Sequence, residues 1–157
     1  TPFTVAGVAR ARKRRAVTIG ISNNPATPLL QAAQHRILIE TGPEVLAGST
    51  RMKAGTAQKV VLNLLSTAIM VRLGRVHRGL MVQMQQNNSK LRRRAEVMVT
   101  NIAGASPAAA ARALKASGGD IKLAALLVAG AATVKSATAL LARHKGNLRA
   151  ALATLDR

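Results

Sequence analysis

Residues 42–59, GPEVLAGSTRMKAGTAQK, concentrate the chemical groups that a binding site for a phosphorylated sugar needs. The glycines of this segment allow the backbone to approach a ligand closely. Its hydroxyl groups and cations are suited to bind phosphate oxygens, and they belong to Ser49, Thr50, Arg51, Lys53, Thr56 and Lys59. Glu44, in the same segment, is a candidate acid or base. From the residues alone, a loop and helix cap with solvated cations explains the segment equally well.

The other polar residues of the chain do not form a metal-binding pattern. The histidines, His35, His77 and His144, lack the spacing of metal ligands and have no evident carboxylate partner in sequence. The chain has no cysteine, which excludes a disulfide, a thiolate nucleophile and a zinc site built on cysteine. We therefore expect no metal site, and we expect an intracellular protein.

The chain is strongly basic, with 24 lysines and arginines against 5 acidic residues and a net charge of +19. Such a charge attracts phosphates, nucleic acid or an anionic surface, and it does not distinguish among them. Proteins that bind nucleic acid usually add stacking aromatic side chains, but Phe3 is the only aromatic residue here. We therefore do not expect nucleic acid as the partner, and a basic nucleic-acid-binding protein is kept as an alternative.

The first third of the chain has the pattern of an α/β protein. Residues 3–15 predict a helix with a basic last turn, and the apolar run 16–21 predicts a buried strand that ends in a polar loop. A short helix at 28–33 and a second strand at 36–40 follow. In open α/β sheets ligands bind outside the carboxyl ends of the strands, which is where the segment 42–59 begins.

A long apolar helix is predicted to begin at a cap formed by Ser49 or Thr50 and to end near Leu73, before Gly74. Its N-terminus would present free N–H groups and form an anion site. Apolar residues cover most of its circumference, which predicts a deeply packed element. A polar stripe on the same helix is predicted to face solvent, a subunit interface or a site; it consists of Thr56, Lys59, Asn63, Ser66 and Thr67.

The remainder of the chain is predicted to be largely helical. Residues 75–88 fit a strand or a packed loop, and an amphipathic helix follows. From about residue 105, cap signals predict further helices; they are Ser106, Asp120, Thr133 and Asn147. The expected domains are therefore 1–104 and a small helical domain, 105–157. No run of about 18 apolar residues and no signal-peptide pattern occurs, so we expect a cytoplasmic protein without a membrane span.

The segment 42–59 closely resembles the signature shared by the N-acetylmuramic acid 6-phosphate etherases and the glucokinase regulatory protein. The resemblance extends to VTIGISNNP at 17–25 and VLNLLSTAIMVRLGRV at 61–76. It is close over roughly residues 1–104 and looser over the helical tail. It implies the C-terminal part of a sugar-isomerase-type parallel sheet with helices, followed by an all-helical tail.

The same resemblance implies a cytoplasmic lyase of cell-wall recycling. Such an enzyme cleaves the lactyl ether of N-acetylmuramic acid 6-phosphate by glutamate acid/base chemistry, giving N-acetylglucosamine 6-phosphate and D-lactate. It implies a homodimer in the full-length protein and neither a metal nor an organic cofactor. A regulatory module that binds a phosphosugar without turnover is the alternative.

The catalytic glutamates proposed for that family lie in its N-terminal half, which has no counterpart in this chain. Thr1-Pro2 resembles the tail of the family's second phosphate loop, so we expect a fragment that is inactive by itself. Gln83 and Asn87 stand where the family usually has Asp and Thr. The resemblance implies that eight residues contact the substrate or its phosphate or hold the shape of the site, and it gives Glu44 no catalytic role. These residues are Thr1, Glu44, Ser49, Thr50, Arg51, Lys53, Thr56 and Lys59.

Overall fold

The computed structural model describes residues 1–155. The chain divides into two compact units, Thr1–Ser66 and Thr67–Arg157. The mixed α/β class predicted from the sequence is confirmed.

The first unit contains a short parallel sheet with helices packed beside it. Its elements are α1 (Pro2–Lys13), β1 (Ile19–Ser22), α2 (Pro28–Ala32), β2 (His35–Leu38), one π-helical turn (Arg51–Gly55) and the start of α3 (Thr56–Arg72). Ile19 pairs with His35 and Ser22 with Leu38, so the carboxyl ends of the two strands lie side by side. The predicted helix–strand–helix–strand order is therefore confirmed.

Helix α2 packs closely against β1 because Gly20 has no side chain. A Cβ atom at Gly20 would lie 2.8 Å from the Cβ of Ala33 and 3.0 Å from the carbonyl oxygen of Leu29. Leu30 and Ala33 are buried at this contact. Arg12, in the basic last turn of α1, donates from Nη1 to the carbonyl oxygen of Ala32 at 3.0 Å. The small residues Gly20 and Ala33 thus set the distance between α2 and β1.

The second unit is a helical bundle that follows a short antiparallel hairpin. Its elements are β3 (Val76–His77), β4 (Leu80–Met81), α4 (Ser89–Ala103), α5 (Pro107–Ala116), α6 (Ile121–Val128), α7 (Val134–Arg143) and α8 (Leu148–Leu155). Its largest fully buried side chains are Ile121, Leu126, Leu148, Val82 and Val99. Helix α4 packs on α5 and α6, so the compact bundle begins before residue 105. The domain division predicted between residues 104 and 105 stays a prediction.

The cap residues predicted for the bundle helices are confirmed. Ser106 accepts a hydrogen bond from the backbone N–H of the third residue after it, and Asp120 and Asn147 do the same. Thr133 forms a capping box with Ser136. Gln83 and Asn87, which depart from the resembled pattern, are exposed in the segment between β4 and α4.

Helix α3 differs from the deeply packed element that the sequence predicts. Within the described residues, α3 has none that is buried, although it ends before Gly74 (φ +66°) as expected. Its apolar side chains remain about half exposed because the described chain does not cover them. By length and composition alone, Arg51–Arg72 could also cross a membrane, a test that core helices of soluble proteins pass as well.

Candidate functional site

A cavity of about 840 Å³ lies at the carboxyl end of β1, within the first unit. Helix α1 and the start of α2 contribute mainly apolar walls to it. Its polar walls carry neutral hydroxyl and amide groups, which belong to Thr1, Ser22, Asn23, Asn24, Thr27, Thr50 and Gln58. The volume falls in the range of about 300–1,000 Å³ that is typical of small-molecule sites.

Asn23 ties the walls of this cavity together. Its Nδ2 donates to the carbonyl oxygen of Ile39 at 2.9 Å, just beyond β2. Its Oδ1 accepts a hydrogen bond from Nε2 of Gln58, in the first turn of α3. Ser22 donates from Oγ to the carbonyl oxygen of Asn24 at 3.0 Å and accepts from the Asn24 N–H at 3.2 Å. The loop after β1 is therefore fixed to β2 and to α3 before any ligand binds.

Glu44 caps the helical segment that begins at Arg51. Its carboxylate accepts hydrogen bonds from the Lys53 N–H, at 3.2 and 3.1 Å, and from the Ala54 N–H at 3.0 Å. Thr50 occupies the N-cap position but its side chain makes no capping hydrogen bond. The prediction that Ser49 or Thr50 caps this helix is therefore wrong, because a carboxylate from the preceding loop satisfies these donors and compensates the helix dipole.

This capping also changes the anion site predicted at the helix N-terminus. The N–H groups of Lys53 and Ala54 already bind the carboxylate of Glu44, so they are not free for a phosphate. Lys53 closes the same loop from the other side, because its Nζ donates to the carbonyl oxygen of Pro43 at 2.8 Å. Glu44 and Lys53 thus hold the loop in shape.

The glycines of the segment have conformational roles in the loop and in the π-helical turn, while the close approach to a ligand predicted for them stays a prediction. Gly48 has φ +81°, which side-chain-bearing residues rarely adopt. Gly55 donates its N–H to the carbonyl oxygen of Thr50 at 2.9 Å, and a Cβ atom there would lie 3.1 Å from the same oxygen. A side chain at position 55 would therefore crowd the carbonyl oxygen of Thr50 in the π-helical turn.

The structure brings only some of the predicted site residues to the cavity. Thr1 and Thr50 line it, whereas Glu44 and Lys53 support the adjoining loop. Four residues lie outside the lining: Ser49 is half-buried, and Arg51, Thr56 and Lys59 are exposed. Their contact with a substrate stays a prediction.

The polar loop Ser22–Asn24 is part of the cavity wall, and so are Thr27 and Gln58, none of which the sequence predicts as a site residue. The position of this loop directly after a buried strand is the signal that could have identified it. Gln58 was overlooked because its role depends on Asn23, 35 residues earlier in the chain.

The cavity wall is suited to binding a polar ligand through neutral groups. In the part of the chain that the structure describes, the cavity wall includes neither a carboxylate nor a histidine or lysine side chain. Hydroxyl and amide groups donate to and accept from the oxygens of a sugar or a phosphate. Among residues 1–155, no group of three or more His, Asp or Glu is placed to hold a metal ion.

Comparisons with known proteins place the chain among etherases. An N-acetylmuramic acid 6-phosphate etherase from Streptomyces avermitilis is 46% identical over all 157 residues of the chain, which cover 50% of the relative. One from Symbiobacterium thermophilum is 53% identical over 78% of the chain and 41% of the relative. One from Streptomyces coelicolor is 46% identical over 98% of the chain and 49% of the relative. No protein-family model matches the chain.

The chain spans about half the length of the relatives it matches, and the matched half is their C-terminal part. The three relatives at this level of identity carry the same name. The chain belongs to the N-acetylmuramic acid 6-phosphate etherase family and corresponds to the C-terminal half of its members.

Proposed function

We propose that this chain is the C-terminal half of a lyase that cleaves the lactyl ether of N-acetylmuramic acid 6-phosphate, releasing D-lactate and N-acetylglucosamine 6-phosphate. The observation that carries the proposal is the 46% identity to an etherase over the whole chain. The cavity beside β1 supports it, because its volume and polar wall suit a phosphorylated sugar.

In this proposal the cavity binds the 6-phosphosugar through neutral donors. Hydroxyl groups of Thr1 and Thr50 and the amide of Asn24 donate to oxygens of the substrate, while Ser22, whose hydroxyl already donates to Asn24, fixes the loop. Arg51 and Lys59 are exposed cations near the same turn and add positive charge that attracts the phosphate. Glu44 and Lys53 act indirectly by fixing the loop that carries Thr50.

Acid/base groups for the reaction come from the other half of the enzyme in this proposal. Breaking the ether bond requires a base that removes a proton from the sugar and an acid that protonates the departing lactate oxygen, and water then adds to the unsaturated sugar to give N-acetylglucosamine 6-phosphate. The described cavity wall offers no group that does either near neutral pH. The chain therefore supplies binding and orientation, and alone it is inactive. The whole enzyme is proposed to be a cytoplasmic homodimer.

Calorimetry on a hybrid protein tests the binding role. The N-terminal half of the Streptomyces avermitilis relative is joined to this chain, and N-acetylglucosamine 6-phosphate is titrated against unphosphorylated N-acetylglucosamine. Thr50→Val removes a hydroxyl from the cavity wall and should weaken binding of the phosphosugar about tenfold, the equivalent of one hydrogen bond. Arg51→Ala should weaken binding of the phosphorylated sugar only.

Thr41→Val is the matched control, because Thr41 is absent from the cavity wall. It should leave the affinity unchanged. Equal effects of the two threonine substitutions, or equal affinity for the two sugars, would contradict the assignment of this cavity.

A further inference from the structure

A second cavity, of about 420 Å³, lies within the second unit and shares no residue with the cavity beside β1. The turn between β3 and β4, the C-terminal ends of α4 and α6, and α8 form its wall. The polar side chains of this wall belong to His77, Arg78 and Arg149, and its other side chains are aliphatic. No acidic residue among residues 1–155 belongs to the wall. The cavity therefore presents basic groups next to an apolar surface.

The backbone fixes the positions of both arginines. Arg78 and Gly79 form the two-residue turn of the hairpin, with φ values of +47° and +78°. Such turns favour asparagine, aspartate or glycine at the first position, so an arginine there occupies an unfavourable backbone conformation. Arg149 lies in the first turn of α8, which the buried Leu148 and Ala151 anchor to the bundle. Both arginines are exposed, so a ligand can reach them from solvent.

His77 contributes a buried polar atom without a partner to the same wall. Its side chain is only 5% exposed, and its Nε2 has no hydrogen-bond partner among the described residues. Buried polar atoms in proteins are nearly always paired, so an unpaired one requires an explanation. Burial and the neighbouring Arg78 and Arg149 lower the pKa of the ring, which is therefore neutral near neutral pH and can donate one N–H. A bound acceptor would satisfy this group.

The charge of the wall indicates the class of ligand. Two guanidinium groups attract an anion, and their planar sets of donors match the oxygens of a phosphate or a carboxylate. A phosphate monoester carries a charge of about −1.5 to −2 near neutral pH, which balances two guanidinium groups more fully than a single carboxylate does. The cavity is larger than a phosphate group, and the aliphatic part of its wall offers a surface for an organic body.

We propose that this cavity is a second ligand site, which binds the phosphate group of a small organic phosphate monoester between Arg78 and Arg149. In the bound state the two guanidinium groups donate to phosphate oxygens, and Nε2 of His77 donates to a further oxygen. The ligand would join the hairpin to α8 and thereby stabilise the second unit. The proposal does not depend on the lyase function, because the two cavities share no residue.

The imidazole signals of the whole 157-residue chain, measured by proton–nitrogen NMR, test the proposal. His77→Gln identifies the signal of His77 by its loss. Titration with N-acetylglucosamine 6-phosphate at constant ionic strength should shift this signal to saturation. The signal of His144 should not move, because its Nε2 is already paired with Oγ1 of Thr154 at 3.0 Å. Inorganic phosphate should bind more weakly because it has no organic body, and D-lactate more weakly than the phosphosugar because it carries a single charge.

Substitutions of the two arginines test the contacts. Arg78→Gly removes one cation and suits the positive φ, so a loss of binding cannot come from a strained turn. It should weaken phosphosugar binding about tenfold, and so should Arg149→Gln. Lys145→Gly is the matched control, because Lys145 is an exposed cation with φ +53° in the same unit and outside this wall. It should leave the affinity unchanged. In case the chain alone aggregates, the hybrid protein is titrated in the same way.

Four results would overturn the proposal. One is a His77 signal that neither phosphate-bearing probe shifts. Another is an equal loss of affinity in Lys145→Gly and Arg78→Gly, which would indicate a general attraction of anions to the basic chain. The third is a response of His77 that Thr50→Val weakens as much as Arg78→Gly does, since the ligand would then act from the cavity beside β1. The fourth is binding of inorganic phosphate or D-lactate as tight as that of the phosphosugar, which would assign the cavity to the free ion or to a carboxylate.

Discussion

Replacing Glu44 by alanine tests whether this residue caps the helical segment that begins at Arg51. The substitution leaves the backbone N–H groups of Lys53 and Ala54 without the acceptor that they share. The loop 42–50 should then separate from the π-helical turn. Thr50, which lines the cavity at the end of this loop, should lose its fixed position.

The expected size of the effect follows from the two amide donors. A hydrogen bond to a charged group contributes about 1.5–3 kcal/mol, but partial exposure of this carboxylate reduces each contribution to about 1 kcal/mol. The loss is therefore about 2 kcal/mol, which corresponds to roughly 30-fold faster local opening. Glu44→Gln retains one acceptor oxygen and should lose less than half of this.

Hydrogen–deuterium exchange followed by mass spectrometry measures the opening directly. A peptide that covers residues 51–58 should exchange roughly 30-fold faster in Glu44→Ala than in the unaltered chain. Glu40→Ala removes an exposed carboxylate nearby and is the control. Unchanged exchange of residues 51–58 in Glu44→Ala would refute the capping role and the account of the loop built on it.

Three further predictions concern stability. Gly74→Ala should destabilise the helical unit in denaturant unfolding, by about 1 kcal/mol because of the positive φ at this position. The new Cβ would lie 2.9 Å from the carbonyl oxygen of Gly146, and this contact should cost about 1–3 kcal/mol more. Gly20→Ala should destabilise the first unit by about 1–3 kcal/mol, because its Cβ would overlap α2. Burial and the nearby Arg78 and Arg149 lower the pKa of His77. The unfolded chain therefore binds the proton more readily, so stability should fall below about pH 6.5, by up to about 1.4 kcal/mol per pH unit.

Matched control variants distinguish these specific losses of stability from the general effect of a substitution. Gly79 also has a positive φ, +78° against +66° at Gly74, but there is open space around a new Cβ, so Gly79→Ala should show the conformational part alone. Gly7→Ala, in the open part of α1, should be neutral or stabilising. His77→Gln should remove the pH-dependent part of the melting temperature between pH 7.5 and 5.5. A loss for Gly79→Ala as large as for Gly74→Ala, or an unchanged pH profile in His77→Gln, would contradict the reasoning.

The sequence predicts those parts of the structure that depend on neighbouring residues. The caps at Ser106, Asp120 and Asn147 were predictable because each side chain binds an N–H group three residues later. The strand β1 and the end of α3 at Gly74 were predictable because an apolar run and a glycine are also local signals. Local patterns were therefore sufficient for most of the fold.

The parts that sequence reasoning missed depend on residues far apart in the chain. Glu44 caps a helix nine residues later, in place of the expected Ser49 or Thr50. Gln58 reaches Asn23 across 35 residues. Helix α3 has the composition of a buried helix, but among the described residues it has no buried side chain, because burial depends on which other residues pack around a helix. No local pattern records such pairings.

Release of D-lactate by the hybrid protein tests the central claim most directly. The hybrid of the Streptomyces avermitilis N-terminal half and this chain is incubated with N-acetylmuramic acid 6-phosphate, and D-lactate is measured enzymatically beside each half alone. We expect D-lactate and N-acetylglucosamine 6-phosphate in equal amounts from the hybrid and none from either half, with a KM about tenfold higher for Thr50→Val. A folded hybrid that binds the phosphosugar but releases no D-lactate would contradict the assignment of this chain to a working lyase.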